Sequence, residues 1–305
     1  MSPPDWLWIP ITVWAAFAQT MRNAAQRHLT ADLGTLGATL VRFLYGLPFA
    51  VFWLAVVQVA EAAAIPLPNA RFVFWVIASG ISQVVATALL LRVMAERNFA
   101  LGVAYSKTEI IQVAVFGFVF LGDPVTMAAG LAILCGTLGV LLLSPADRAR
   151  PLRTLLSGWT ARPALLGLAS GASFALAAVG YRGAALALEG APFLMAAAYT
   201  LVAAQLFQTF ALGGWLAWRD AAIVSRVLRA WRASLFAGFM GAAASAGWFT
   251  AMAIEPVAHV RTLGLVELLF SAIVSRRFFR ERMTWLEIAG VILLTAGLVI
   301  VALSG

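Results

Sequence analysis

Apolar residues fall in long runs separated by short polar clusters, rather than in the ten-residue alternating segments of a membrane barrel. A helix needs about 20 predominantly apolar residues to cross a bilayer. Ten runs qualify, at 6–28, 35–59, 72–94, 99–121, 124–144, 163–187, 191–217, 231–253, 257–278 and 284–303. Connections such as Gly122-Asp123 and Glu255-Pro256 are so short that the runs they join must be antiparallel neighbours. The longest polar connection, 145–162, separates a first half at 1–144 from a second at 163–305, with five runs in each. The pattern predicts an all-α integral membrane protein of ten transmembrane helices.

Composition agrees. Of 305 residues 63% are apolar and 11% charged, too few polar side chains to clothe a soluble globule. The net charge of +8 does not point to nucleic acid, because the arginines lie in short loops and no soluble basic domain exists to hold one. There they read as topology signals and contacts to anionic lipid headgroups. Cys135 is the single cysteine, which leaves neither a disulfide framework nor a cysteine-based metal site. Met1 to Trp14 lacks a positively charged leader region, so the first run reads as a retained span.

The two halves also repeat. At an offset of 158 residues Met94-Ala95 falls on Met252-Ala253, Glu109 on Glu267, Asp123 on Glu281, Thr126 on Thr284 and Gly139 on Gly297. Five is odd, so the second half must enter the membrane upside down, as in transporters built from inverted repeats. Arginines cluster after odd-numbered runs, Arg97, Arg148, Arg219, Arg226, Arg229 and Arg276 among them, against Arg71 on the other side. The positive-inside rule then makes that side cytoplasmic and places both termini in the periplasm.

These features resemble the drug/metabolite transporter (DMT) superfamily in its EamA-like branch. The resemblance rests on Thr108-Glu109, Leu121-Gly122-Asp123 and 130–143 in the first half, and on Val266-Glu267, Arg280-Glu281-Arg282 and 290–301 in the second. Two departures stand out. Phe279-Arg280 replaces a Leu-Gly before the second acid, and no proline follows Glu109 or Glu267. The resemblance implies a secondary transporter of small metabolites, often an exporter of amino acids or related compounds.

Ionisable groups inside apolar runs mark candidate chemistry, because each costs roughly 2.5–3.5 kcal/mol on insertion scales. Lys107, the only lysine, and Glu109 lie two apart in the fourth run, on different helix faces, and so do not simply pair with each other. One reading makes them interhelical ion-pair partners. Another gives Lys107 a substrate carboxylate and Glu109 a proton or ammonium, and a third lets Lys107 snorkel. Glu267 repeats Glu109, with Arg261 a turn and a half earlier, which sets a cation and an acid toward each end of a central cavity. Arg22, Arg42 and Arg182 complete five cations against two acids, favouring a substrate with negative charge. Snorkelling is the slightly better reading for Arg42 and Arg182. Gln19, Asn23 and Gln26 give the first run a polar face beside Arg22.

Gln83 with Thr87, Ser245 with Trp248, and the hydroxyls of Tyr105, Tyr181 and Tyr199 add polar handles. Trp6, Trp8, Trp215, Trp218 and Trp285 read as interfacial anchors. Glycines such as Gly136, Gly139, Gly167, Gly171 and Gly297 read as packing positions, the Gly167/Gly171 pair in GxxxG spacing.

Enzyme motifs, a nucleotide-binding loop, a cofactor signature and a metal-ligand set are absent from the sequence. The expectation is a bacterial inner-membrane secondary transporter, monomer or homodimer. It would export a small amphipathic metabolite, such as an anionic or zwitterionic amino acid, by proton coupling or exchange. Broad drug efflux, and a membrane scaffold or enzyme with structural buried charges, are the alternatives.

Overall fold

The computed structural model describes residues 4–95, 108–143, 162–270 and 285–304, and these are helical almost throughout. In chain order the helices are α1 (Trp8–Leu44), α2 (Leu47–Glu61), α3 (Ala70–Ala95), α4 (Glu109–Leu121), α5 (Met127–Leu143), α6 (Arg162–Leu186), α7 (Phe193–Arg219), α8 (Ala221–Arg229), α9 (Trp231–Ile254), α10 (Val257–Leu263) and α11 (Trp285–Ser304). Asp32–Glu61, Ala70–Leu90, Leu165–Leu186, Phe193–Arg219 and Trp231–Ile254 are each long and apolar enough to cross a bilayer. Glu109–Leu121, Met127–Val140 and Ile288–Leu303 are shorter apolar helices. The protein is a multi-pass integral membrane protein.

Three boundaries differ from the runs predicted by sequence. The first run ends at 28 in the sequence reading, yet α1 continues without a loop to Gly34, whose φ of 67° and ψ of 176° break it. Only glycine takes that conformation without strain, so the chain can reverse on one residue. The side-chain amide of Gln26 spans the break, donating to the Ala38 carbonyl at 2.8 Å. The second run is interrupted again at Tyr45-Gly46 before α2 begins. The ninth run, predicted as one helix over 257–278, stops at Leu263, turns at Gly264-Leu265 and is helical again at 266–270.

The chain divides into two compact units, each drawing on both halves of the sequence. One contains 1–84 and 180–255. Here α1 packs along α9, and α2 along α7. At Gly247 a Cβ would lie 2.8 Å from the Ala15 Cβ, so α1 and α9 nearly touch backbone to backbone. That approach encloses Trp8, which is fully buried rather than interfacial. Trp6, Trp215 and Trp218 are exposed, while the Trp285 side chain lies outside the described ones. Leu33, Leu40, Val41, Phe43, Leu216 and Val227 form one apolar core of this unit, and Phe72, Val76, Ala184 and Leu188 another.

The other unit contains 85–179 and 256–305. Its main contact joins α5 to α11. A Cβ on Gly139 would lie 2.7 Å from the Leu294 amide nitrogen and 2.8 Å from the Gly290 oxygen. A Cβ on Gly297 would lie 2.8 Å from the Ala132 oxygen and 2.9 Å from the Gly136 nitrogen. Close approach at small residues is how membrane helices gain packing energy without a hydrophobic driving force between them.

Candidate functional site

In the second unit two residues predicted by sequence, Glu109 and Arg261, meet. Thr108 opens α4: its carbonyl accepts from the Ile111 amide at 3.1 Å, and its hydroxyl accepts from the Gln112 side chain at 3.3 Å. Glu109 is therefore the first helical residue, and it is buried. Arg261 lies in the last turn of α10, and its Nη2 donates to Glu109 Oε1. A carboxylate at a helix N-terminus and a guanidinium at a C-terminus each oppose the local helix dipole, and here they also oppose each other. The sequence reading set Glu109 and Arg261 toward opposite membrane faces. They are joined instead, because α10 ends at Leu263 and the long arginine side chain reaches α4.

Glu267 repeats the local setting of Glu109. Its amide donates to the Gly264 oxygen at 3.1 Å in the turn that restarts the ninth run, so this buried acid too stands in the first turn of a helix that begins within its run. Lys107 and Tyr105 lie outside the described residues.

A second polar cluster lies in the first unit. Gln208 Nε2 donates to Gln83 Oε1 at 2.6 Å and to the Tyr181 hydroxyl at 3.1 Å. The Tyr181 hydroxyl donates to Gln83 Oε1 at 3.0 Å, which closes a triangle between α3, α6 and α7. The Tyr181 ring rests on Phe249 with centroids 4.6 Å apart. Trp248 is buried, and its indole N–H donates to Gln19 Oε1 at 3.1 Å. Arg22 and Arg42 converge on Gly241, where a Cβ would lie 3.3 Å from Arg22 Cδ and 3.5 Å from Arg42 Cγ. Arg22 is buried; Arg42 is half-buried with its guanidinium 5.4 Å from the Phe43 ring. Asn23 lies on α1 with its side chain outside the described ones.

Arg182 does not snorkel. Its Nη1 donates to the Met252 and Glu255 carbonyls at 2.6 and 2.7 Å, satisfying acceptors that the end of α9 leaves unpaired. The sequence reading missed Gln205 and Gln208, both buried on α7. Their signal was available: with Thr209 they form a polar stripe at helical spacing within an apolar run, like that of Gln19, Asn23 and Gln26. Among the described residues no three His, Cys, Asp or Glu side chains converge to hold a metal ion.

Residues 161–303, a stretch that contains Glu267 and α10, match the EamA-like transporter family. The match covers the second half of the chain, and that family is part of the drug/metabolite transporter superfamily. No curated protein matches the chain. One solved structure, described only as a crystal structure of a protein, shares 14% identity with it. It aligns over 97% of this chain and 99% of its own with a TM-score of 0.67, a likeness of fold alone.

Proposed function

We propose that this EamA-like protein is a secondary active exporter of a small amphipathic metabolite carrying at least one carboxylate, such as an amino acid. It would be built from two inverted five-helix repeats across a bacterial inner membrane, with both termini periplasmic. The observation that carries the reading is the Glu109–Arg261 pair between α4 and α10. A buried ion pair adds little net stability over apolar packing of the same volume. Its placement at the break of the ninth run is where transporters of inverted-repeat design bind ions and substrates.

Charge supports an anionic group on the substrate. The first unit has its acids, Asp5, Asp32, Glu61, Glu189, Asp220 and Glu255, at helix ends and turns, whereas Arg22 and Arg42 lie along α1 over Gly241. A low-dielectric interior with two guanidinium groups raises the local concentration of anions. Gln83 and Trp248 of the first unit are proposed polar contacts for the rest of the molecule, and Tyr105 and Lys107, outside the described residues, remain proposed from sequence alone. With no nucleotide-binding motif in the sequence, proton coupling or exchange supplies the energy. A substrate carboxylate that displaces Glu109 from Arg261 would link occupancy to the loosening of α4 from α10. Counterflow into vesicles preloaded with each member of a metabolite panel tests this. Carboxylate-bearing compounds are expected to exchange and their amides to fail; equal exchange of both would remove the anionic assignment.

A further inference from the structure

Between α7 and α9 the chain makes a short helix, α8, that no transmembrane run accounts for. Asp220 ends α7 and caps α8, its Oδ1 accepting from the Ala222 amide at 3.1 Å. Ile223, Val224 and Val227 turn inward onto the core that holds Leu33 and Leu216. Gly37 permits the approach: a Cβ there would meet Ile223 Cγ2 at 3.3 Å and Val227 Cγ2 at 3.5 Å. Tyr45 pins the far end, its hydroxyl lying 3.1 Å from the Val227 oxygen and 3.2 Å from the Leu228 oxygen. The helix thus lies against the bundle at the level where two spans end.

Its outer side is cationic. Arg219, Arg226, Arg229 and Arg232 are all exposed, and among the described residues none of the four has a carboxylate partner. Arg226 and Arg229 are three apart, hence neighbours on one face. Exposed tryptophans flank them: Trp218, Trp215 with the Arg219 guanidinium 6.0 Å from its ring, and Trp231 with that of Arg232 at 5.3 Å. Indole rings settle at headgroup depth, and arginine forks match phosphate oxygens in two-point contacts. A helix with apolar residues inward, cations outward and aromatics at both ends fits a bilayer surface rather than its core.

We propose that α8 and its flanks, Arg219 to Arg232, form a binding site for the headgroup phosphate of an anionic phospholipid. The chemistry it recognises is a phosphodiester monoanion with no compensating cation in its headgroup, and the tryptophans commit it to a lipid rather than free phosphate. This site is independent of the transported substrate.

The test uses the full chain in detergent micelles, titrated with phosphatidylglycerol, phosphatidylcholine or inorganic phosphate while binding is followed by native mass spectrometry and thermal shift. Phosphatidylglycerol is expected to bind and stabilise, weakening with added salt, and the other two to do neither. Each arginine changed to glutamine should lower the affinity about fivefold, and R226K/R229K should keep most of it. R71Q/R92Q, exposed arginines elsewhere, should leave it unchanged. Undiminished binding in R226Q/R229Q overturns the site, as does equal loss in R71Q/R92Q. Equal stabilisation by phosphatidylcholine or by inorganic phosphate overturns the anionic-lipid assignment.

Discussion

Gly139 and Gly297 stand in reciprocal positions. Gly139 lies against Leu294 and Gly290, and Gly297 against Gly136 and Ala132. Shifting 139, 136 and 132 by 158 gives 297, 294 and 290, so the α5–α11 contact maps onto itself when the halves are exchanged. A self-complementary contact is what a two-fold relation produces, and it supports the proposal of two repeated halves.

Packing at these glycines makes a stability prediction. Gly139→Ala and Gly297→Ala each drive a methyl group to within 3.0 Å of partner backbone and should each cost about 1–3 kcal/mol. Gly130→Ala meets nothing within 4 Å and should be neutral or stabilising. Thermal denaturation in a single detergent compares the three.

Breaking the α4–α10 pair takes one counter-charge from a buried carboxylate or from a part-buried guanidinium. Glu109→Gln or Arg261→Gln should each destabilise by about 3–5 kcal/mol. The double variant should lose less than the sum of the two, because the surviving charge carries much of each single penalty. A strictly additive double-mutant cycle would mean that the two side chains do not interact.

The amide and phenol triangle makes a smaller claim. Tyr181→Phe removes one donor and should cost about 0.5–1.5 kcal/mol, whereas Gln208→Leu leaves both Gln83 Oε1 and the Tyr181 hydroxyl short of a partner and should cost more. Chemical or thermal denaturation ranks them.

Arg182→Met should fray the end of α9. The Met252 and Glu255 carbonyls lose their donor, and faster hydrogen exchange near the C-terminal end of α9 is the expected signature.

Much of this was legible in the sequence. Apolar run lengths pointed to helices where the described residues have them, five of them long and apolar enough to cross a bilayer, and the 158-residue offset paired Glu109 with Glu267 and Gly139 with Gly297, each pair sharing a local setting. Apolar content does not record backbone angles, so the turn at Gly34 and the break at Gly264-Leu265 were invisible to it. Glycine at both places was the one available hint. The Glu109–Arg261 contact was missed for a different reason: depth was counted along each helix, and an arginine reaches beyond its own turn. The short helix α8 was readable, with Asp220 as a cap, apolar 223, 224 and 227, and arginines at 226 and 229. At nine residues it is too short to register as an apolar run of span length.

On the proposed function the Glu109–Arg261 pair belongs to a carboxylate transport pathway. Counterflow of carboxylate-bearing metabolites in reconstituted vesicles, with Arg261→Gln and Gly130→Ala compared at equal folded protein, tests it most directly. Exchange is expected in the native and Gly130→Ala proteins, with its loss in Arg261→Gln. Exchange undiminished in Arg261→Gln, or no exchange of any carboxylate by folded native protein, would contradict it.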